Sequence, residues 1–445
     1  MSVHPIESRY GRDEVRRIFE DEVKLQRMLD VEAALVRAHA AVGTITRRDA
    51  DEVSRKASVK YVKLERVAEI EAETHHDVMA VVKALSEVCG EAGRAIHLGA
   101  TSNDITDTAL ALQLKDYIVF LGDTLNELLR VLLAQAKANK KRVCIGRTHG
   151  QHAVPTTYGL KFGIWAAEVG RHLERLSEVK KRILVGQMTG AVGTQAAFGG
   201  KGPKIQELVM KDLKLGVVLA SNQVIQRDRH AEFIMLLALI AESLNKFATE
   251  IRNLQRTEIG EVSEGFRKKQ VGSSTMPHKR NPIYAERICG LSRIVKANAM
   301  ASLENIPLWH ERDLTNSSPE RIIIPEACIL TDYILGLSIE LLGNLVFHDE
   351  AIKRNLYMSK GRIMAEAVMV ALTEKGMDRQ AAHELVREAA MESYRDDEPL
   401  EKFLACKKEV TELISGKELE KILKPENYTG SAAEQVDRIV KKLGK

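Results

Sequence analysis

Cysteine is sparse and scattered. The five, Cys89, Cys144, Cys289, Cys328 and Cys406, are odd in number, lie far apart and never form a C-x-x-C pair, which argues against a disulfide framework or a thiolate zinc site. They read as reduced, mostly buried thiols. Long apolar runs are missing as well: no stretch approaches the roughly 20 uninterrupted apolar residues of a membrane span, and the opening MSVHPIESRYGRDEV has no signal core. The expectation is a cytoplasmic protein with no membrane partner. Nor is there a Lys/Arg block with interleaved aromatics, and a formal charge of +4 is small for 445 residues, so no nucleic-acid partner is expected. A weak positive balance still suits a small anionic substrate.

What the chain has is helical periodicity. With 44% hydrophobic and 29% charged residues it is ordinary in composition and long enough for two or three domains. Over 104–140, Leu114, Ile118, Leu121, Leu125, Leu128 and Leu132 recur at alternating steps of four and three, the stripe of a long helix. Over 230–264, Leu237, Ile240, Leu244, Phe247, Ile251 and Leu254 do the same, which predicts a helix on the order of 50 Å long. Helices of that length pack as a bundle, often across subunits. Further helical patterns cover 157–184, 284–303 and 319–347, and 349–357 together with the more charged tail beyond reads as a small separate domain. Alternating strand segments of any length are missing, with short β pieces conceivable only in RVCIGRT and KRILVGQ, so the class is all-α.

Polar clusters interrupt the helices at five places. The first is ETHHDV, with His75, His76 and Asp77. The second is HLGATSNDITDTA, where Thr101, Ser102, Asn103 and Asp104 stand at a helix start and serve equally as N-caps or as an anion site. The third, GRTHGQHAVPTTYG, sets Thr148, His149 and His152 among glycines and a proline, a pattern for backbone in a special conformation presenting an imidazole. No H-E-x-x-H pattern and no carboxylate at ligand spacing accompany these histidines, so no metal is expected. The fourth, SNQVIQRDRH, contains Gln223 and reads mostly as a solvated capping segment. The fifth is VGSSTMPHKRNP, followed by LWHERDLTNSSPER, in which Arg312, Ser317, Ser318 and Arg321 form either a phosphate grip or a solvated helix cap. The glycine-rich GQMTGAVGTQAAFGGKG matches neither nucleotide-cradle pattern and reads as a tight helix connection.

GSSTMPHKRNPIYAE, residues 272–286, resembles the signature loop of the fumarase/aspartase superfamily, and TSNDITDTA and GRTHGQHAVPTT resemble its other two blocks, in the expected order. Within it, THHDV, SNQVIQRDRHAE and LWHERDLTNSSPER are similar to the branch acting on succinylated purine nucleotides. Argininosuccinate lyases are the nearest alternative; they would not be expected to carry the LWHER stretch, and the arginine pair Arg312 and Arg321 counts against a guanidinium pocket. The resemblance implies cleavage of adenylosuccinate to AMP and fumarate, and of the succinylated carboxamide nucleotide of purine synthesis to its amide and fumarate. It implies Ser273 as base and His149 as acid, with Lys279 and Asn281 holding the succinyl carboxylate. Thr101, Ser102, Thr148 and Gln223 become further contacts there, while Arg9, Tyr10, Arg312, Ser317 and Arg321 take the nucleotide end. His76 and Asp77 orient the site, and Glu286 pairs with His149. No cofactor is implied. The implied architecture is three helical domains, 1–101, 102–352 and 353–445, whose central long-helix bundle assembles in a homotetramer with shared active sites. One departure stands out: His75 occupies a position where the family often has arginine. A non-catalytic helical scaffold is the rival of another class, and the presence of Ser273, His149, Lys279 and Asn281 speaks against it.

Overall fold

Apolar residues three and four apart become the buried stripes of long helices, and that spacing decides the architecture. The computed structural model describes residues 4–265, 275–276 and 278–444. In chain order come α1 (Asp13–Ile18), α2 (Asp21–Ala41), α3 (Arg47–Lys56), α4 (Leu64–Thr74), α5 (Asp77–Cys89), α6 (Ser102–Ala138) and α7 (Tyr158–Ile183). Then follow α8 (Gly202–Leu213), α9 (Asp228–Leu254), α10 (Ile283–Glu304), α11 (Ser317–Gly343) and α12 (Asp349–Tyr357). The helices α13 (Ala365–Glu374), α14 (Arg379–Asp396), α15 (Leu400–Ala405), α16 (Lys408–Thr411), α17 (Gly416–Ile422) and α18 (Ala432–Leu443) complete the series. Among the described residues six short strands pair two by two: β1 (Val143–Thr148) with β2 (Gln151–Thr157), β3 (Val185–Gly186) with β4 (Gly216–Val217), and β5 (Val262–Ser263) with β6 (Val346–Phe347). The all-α class holds, and RVCIGRT and KRILVGQ are indeed where β1 and β3 lie.

The six apolar positions read from the stripe of α6 are all at most 4% exposed. At 37 residues this helix is roughly 55 Å long. The helix expected over 230–264 stops ten residues early, at Leu254. The chain turns after it, with Gly260 at φ 63° in the turn, and continues as β5. By length and hydropathy α11 alone among the described helices is apolar enough to cross a membrane, yet 72% of its most apolar window is buried in the fold.

The chain divides into two compact units. The first comprises Met1–Asn126, Arg171–Asn245 and Ile288–Gly336. Its core includes Leu29, Leu35, Leu85, Ile105 and Val209, all fully buried, each leucine or isoleucine contributing about 1.5–3 kcal/mol. Arg12 ties the N-terminal segment down, donating Nε to the fully buried Asp332 of α11 at 2.6 Å and Nη2 to Thr124 of α6 at 2.8 Å. The glycine-rich connection is as tight as the sequence implied: at Gly193, φ 88°, an added Cβ would lie 2.1 Å from the carbonyl oxygen of Ser221.

The second unit comprises Glu127–Gly170, Lys246–Arg287 and Leu337–Lys445. Trp165 stacks on Phe247 at 4.7 Å between ring centroids, joining α7 to α9. Its C-terminal helices share a core of Val368, Leu372, Val386, Leu400, Leu404 and Val410.

Candidate active site

In the first unit, ETHHDV folds as the joint between α4 and α5. His75 closes α4 in the left-handed conformation, φ 51° and ψ 34°, with its N–H on the carbonyl of Glu71 at 2.8 Å. Histidine is among the residues that tolerate this region. His76 caps α5: its Nδ1 accepts the N–H of Met79 at 3.3 Å, which leaves a neutral ring its proton on Nε2. Asp77 opens α5 and accepts Arg321 Nη2 at 2.5 Å, so two sequence breaks 244 residues apart meet. Burial works to raise the Asp77 pKa, but Arg321 and the N–H of Val78 outweigh it and hold the carboxyl below its ordinary value.

The cap of α6 is made by a carboxylate. Asp104 Oδ2 accepts the N–H of Thr101 at 2.9 Å, half of a capping box. The hydroxyls of Thr101 and Ser102 make no hydrogen bond among the described residues, so they are not consumed by the cap. Gln223 donates to the carbonyl of Ala191 at 2.9 Å and accepts Arg312 Nη1 at 2.9 Å. Arg9 lies over the ring of Tyr10, which packs 5.8 Å from the ring of Tyr333 on α11. Ser317 is the first residue of α11.

In the second unit, GRTHGQHAVPTT folds as the β1–β2 hairpin, with Thr148 opposite Gln151 and the pair His149–Gly150 as its turn. Both turn residues have positive φ, 54° and 74°, the signature of the primed turns that match strand twist. For a non-glycine residue that conformation costs on the order of 1 kcal/mol. The outcome is an imidazole carried on an exposed tip, with Thr148 exposed beside it. Behind the tip, Arg147 donates to the carboxylate of Glu261, which also accepts the Tyr158 hydroxyl at 2.5 Å and Asn355 Nδ2 at 2.8 Å. Burial works to raise the Glu261 pKa, and the three donors together bring it below the ordinary value.

Lys279 and Asn281 lead into α10, and Glu286 lies in its first turn; Lys279 and Glu286 are exposed. The start of α10 is fixed by Glu264, which accepts the N–H groups of Ala285 at 2.7 Å and Tyr284 at 3.2 Å. Within one chain no hydrogen bond or ion pair joins His149 to Glu286. Ser273 lies outside the described residues. Among those described, no group of His, Cys, Asp and Glu is arranged to hold a metal ion.

These side chains stand in a chain whose residues 8–296 match the family model described as Lyase and whose residues 361–439 match the one described as adenylosuccinate lyase C-terminus. The adenylosuccinate lyase of Pyrococcus abyssi is 57% identical over 440 residues, covering 99% of this chain and 98% of that protein. The chain belongs to the adenylosuccinate lyase family. It is accordingly a carbon–nitrogen lyase working by β-elimination. The adenylosuccinate lyase of Methanothermobacter thermautotrophicus is also 57% identical, over 447 residues and the whole of both chains. Among solved structures, a fumarate lyase from Mesorhizobium sp. BNC1 superposes with a TM-score of 0.90 at 32% identity, covering 98% of each chain.

Within this adenylosuccinate lyase framework, sequence reasoning missed the buried charges. SNQVIQRDRH is no solvated cap: the side chain of Arg227 is 1% exposed and paired with Asp107, and His230 is buried behind it. The signal was an arginine just before an apolar helix and a histidine in its first turn, three residues apart and so on one face. Asp104 does more than cap α6: it also accepts the N–H groups of Thr189 at 2.9 Å and Gly190 at 3.0 Å, binding the glycine-rich connection to α6. Glu261 and Glu264 carried no sequence signal beyond their type.

Proposed function

We propose that the protein cleaves adenylosuccinate to AMP and fumarate, and the succinylated carboxamide nucleotide of purine synthesis to its amide and fumarate. The observation that carries this reading is the 57% identity, over 99% of the chain, to a protein named adenylosuccinate lyase. Ser273 takes the proton from the carbon next to a carboxylate. The electron pair left behind forms the double bond of fumarate as the C–N bond breaks, and His149 gives a proton to the departing nitrogen. Lys279 and Asn281 stand where carboxylate charge accumulates, and Thr101, Ser102, Thr148 and Gln223 add hydrogen bonds at that end. Arg9, Tyr10, Arg312, Ser317 and Arg321 hold the nucleotide end. His76 and Asp77 orient the site, and Glu286 pairs with His149 to set its tautomer. No step requires a metal or organic cofactor. The left-handed turn supports the role of His149, since strain of this kind persists where it presents a working group.

The working form in this proposal is a cytoplasmic homotetramer of chains with domains 1–101, 102–352 and 353–445, each active site drawing on three subunits. Apolar exposure on the long helices of the first unit supports association: Val119 is 57% exposed, Leu239 49%, Met300 63% and Ile322 62%. The pair His149 and Glu286 is then completed between copies. The test is fumarate release from adenylosuccinate and, separately, from argininosuccinate, with Ser273→Ala as control. Release from adenylosuccinate alone, lost in the variant, is the expected result. Release from argininosuccinate, or from neither, overturns the assignment.

A further inference from the structure

One buried guanidinium sits at the junction of three segments that each carry proposed substrate contacts. Arg227 Nη2 donates to Asp107 Oδ1 at 2.7 Å, and its Nε lies 3.3 Å from Glu320 Oε1, a charge contact rather than an aligned hydrogen bond. Its Nη1 is 3.4 Å from His230 Nδ1. The side chains of Arg227, Asp107 and Glu320 are 1%, 5% and 12% exposed, so these groups are shielded from water and salt.

Each partner belongs to a different contact segment. Asp107 lies in α6 five residues beyond Ser102, and its Oδ2 also accepts the N–H of Ile225 at 2.9 Å, two residues past Gln223. Glu320 lies in the first turn of α11, between Ser317 and Arg321, and is held by Asn316 Nδ2 at 3.1 Å. Arg227 itself follows Gln223 by four residues. A planar fork with fixed donors can set the relative placement of three backbones, whereas a lysine ammonium, a compact charge with rotatable donors on a flexible stem, imposes no such fixed geometry.

We propose that Arg227 is the positioning residue of the succinyl- and nucleotide-binding side of the site, registering the segments of Thr101 and Ser102, of Gln223, and of Ser317 and Arg321 against one another. It touches no reacting atom. This inference rests on the proposed function for its kinetic consequence, but not for its structural one.

The test uses the full-length protein with Arg227→Lys, and with Asp107→Asn as a second variant in case the first fails to fold. Hydrogen exchange should quicken about tenfold or more at the start of α6, at 221–225 and at the start of α11 together, while the β1–β2 hairpin keeps its protection. In the same proteins KM for adenylosuccinate should rise about tenfold with kcat falling by less, since loss of a charge-assisted hydrogen bond of that strength would be felt in binding. A drop in kcat at unchanged KM is what a merely structural residue gives through a smaller active fraction, and it overturns the proposal. So does exchange that quickens in one segment only, or everywhere at once. Absence of fumarate release from the unaltered protein overturns the functional reading, while the exchange pattern still decides the role of Arg227.

Discussion

Glu261→Gln asks whether a buried carboxylate holds the hairpin that presents His149. The change is nearly isosteric, so packing is kept and only charge and acceptor count are altered. Glu261 is 1% exposed, and Arg147, Tyr158 and Asn355 all donate to it. A glutamine keeps one acceptor oxygen for Arg147 and Asn355, its NH2 faces the Tyr158 hydroxyl, which must then accept instead of donate, and the charge that pairs with Arg147 is lost. Removing one partner of a buried ion pair costs about 3–5 kcal/mol; because Arg147 keeps some contact with water, the low end, about 3 kcal/mol, applies. The pH dependence has a definite sign. The folded pKa of Glu261 lies below its ordinary value of 4.5, so in that range the unfolded chain binds the extra proton and stability rises with pH. The contribution is complete at neutral pH and is lost as pH falls below about 4.5. Urea unfolding followed by helical circular dichroism should show a lower midpoint for the variant at neutral pH, and the gap should close in acid. Because Arg147 and Thr148 end β1 and His149 follows directly in the turn, fumarate release should fall as well. An unfolding free energy within about 1 kcal/mol of that of the unaltered protein at neutral pH would refute the reasoning, since a neutral hydrogen bond alone accounts for that much.

Three further outcomes are expected. Burial pushes Glu320 up to about 7 despite Arg227 nearby, so its folded form holds a proton that the unfolded form has lost, and stability should decline as pH rises from about 4.5 to about 7; Glu320→Gln, which keeps the neutral shape, should flatten that decline and be the more stable protein at about pH 8. Asp77→Asn and Arg321→Met, singly and together, should give a stability coupling of only about 0.5–1 kcal/mol, because both side chains are partly exposed, yet each should weaken substrate binding measured as KM. His149→Gly should leave thermal stability unchanged or slightly improved, since glycine adopts positive φ freely, while fumarate release falls by about 10²–10⁴-fold as general acid catalysis is lost; a destabilised variant or one with intact turnover would contradict the reading.

Much of the fold was legible because helix burial is periodic. The stripes of α6 and α9 and the break positions between helices follow from residue spacing alone. The end of α9 was misread although the apolar stripe itself stops at Leu254, with Thr257, Glu258 and Glu261 at the next stripe positions; Val262 and Ser263 beyond it pair with β6 instead. The positive φ of His149 was half visible in its glycine neighbours.

The sequence by itself determined the helical class, the chemical types assembled at the breaks and the signature from which the family follows, because these depend on local spacing and side-chain identity. Only the tertiary structure decided which breaks meet and which charges lose their water. Asp77 finding Arg321, Arg227 lying between Asp107 and Glu320, and Glu261 gathering Arg147, Tyr158 and Asn355 are contacts between segments far apart in the chain. A charged residue reads the same on paper whether solvated or buried, and its surroundings exist only once the helices have packed.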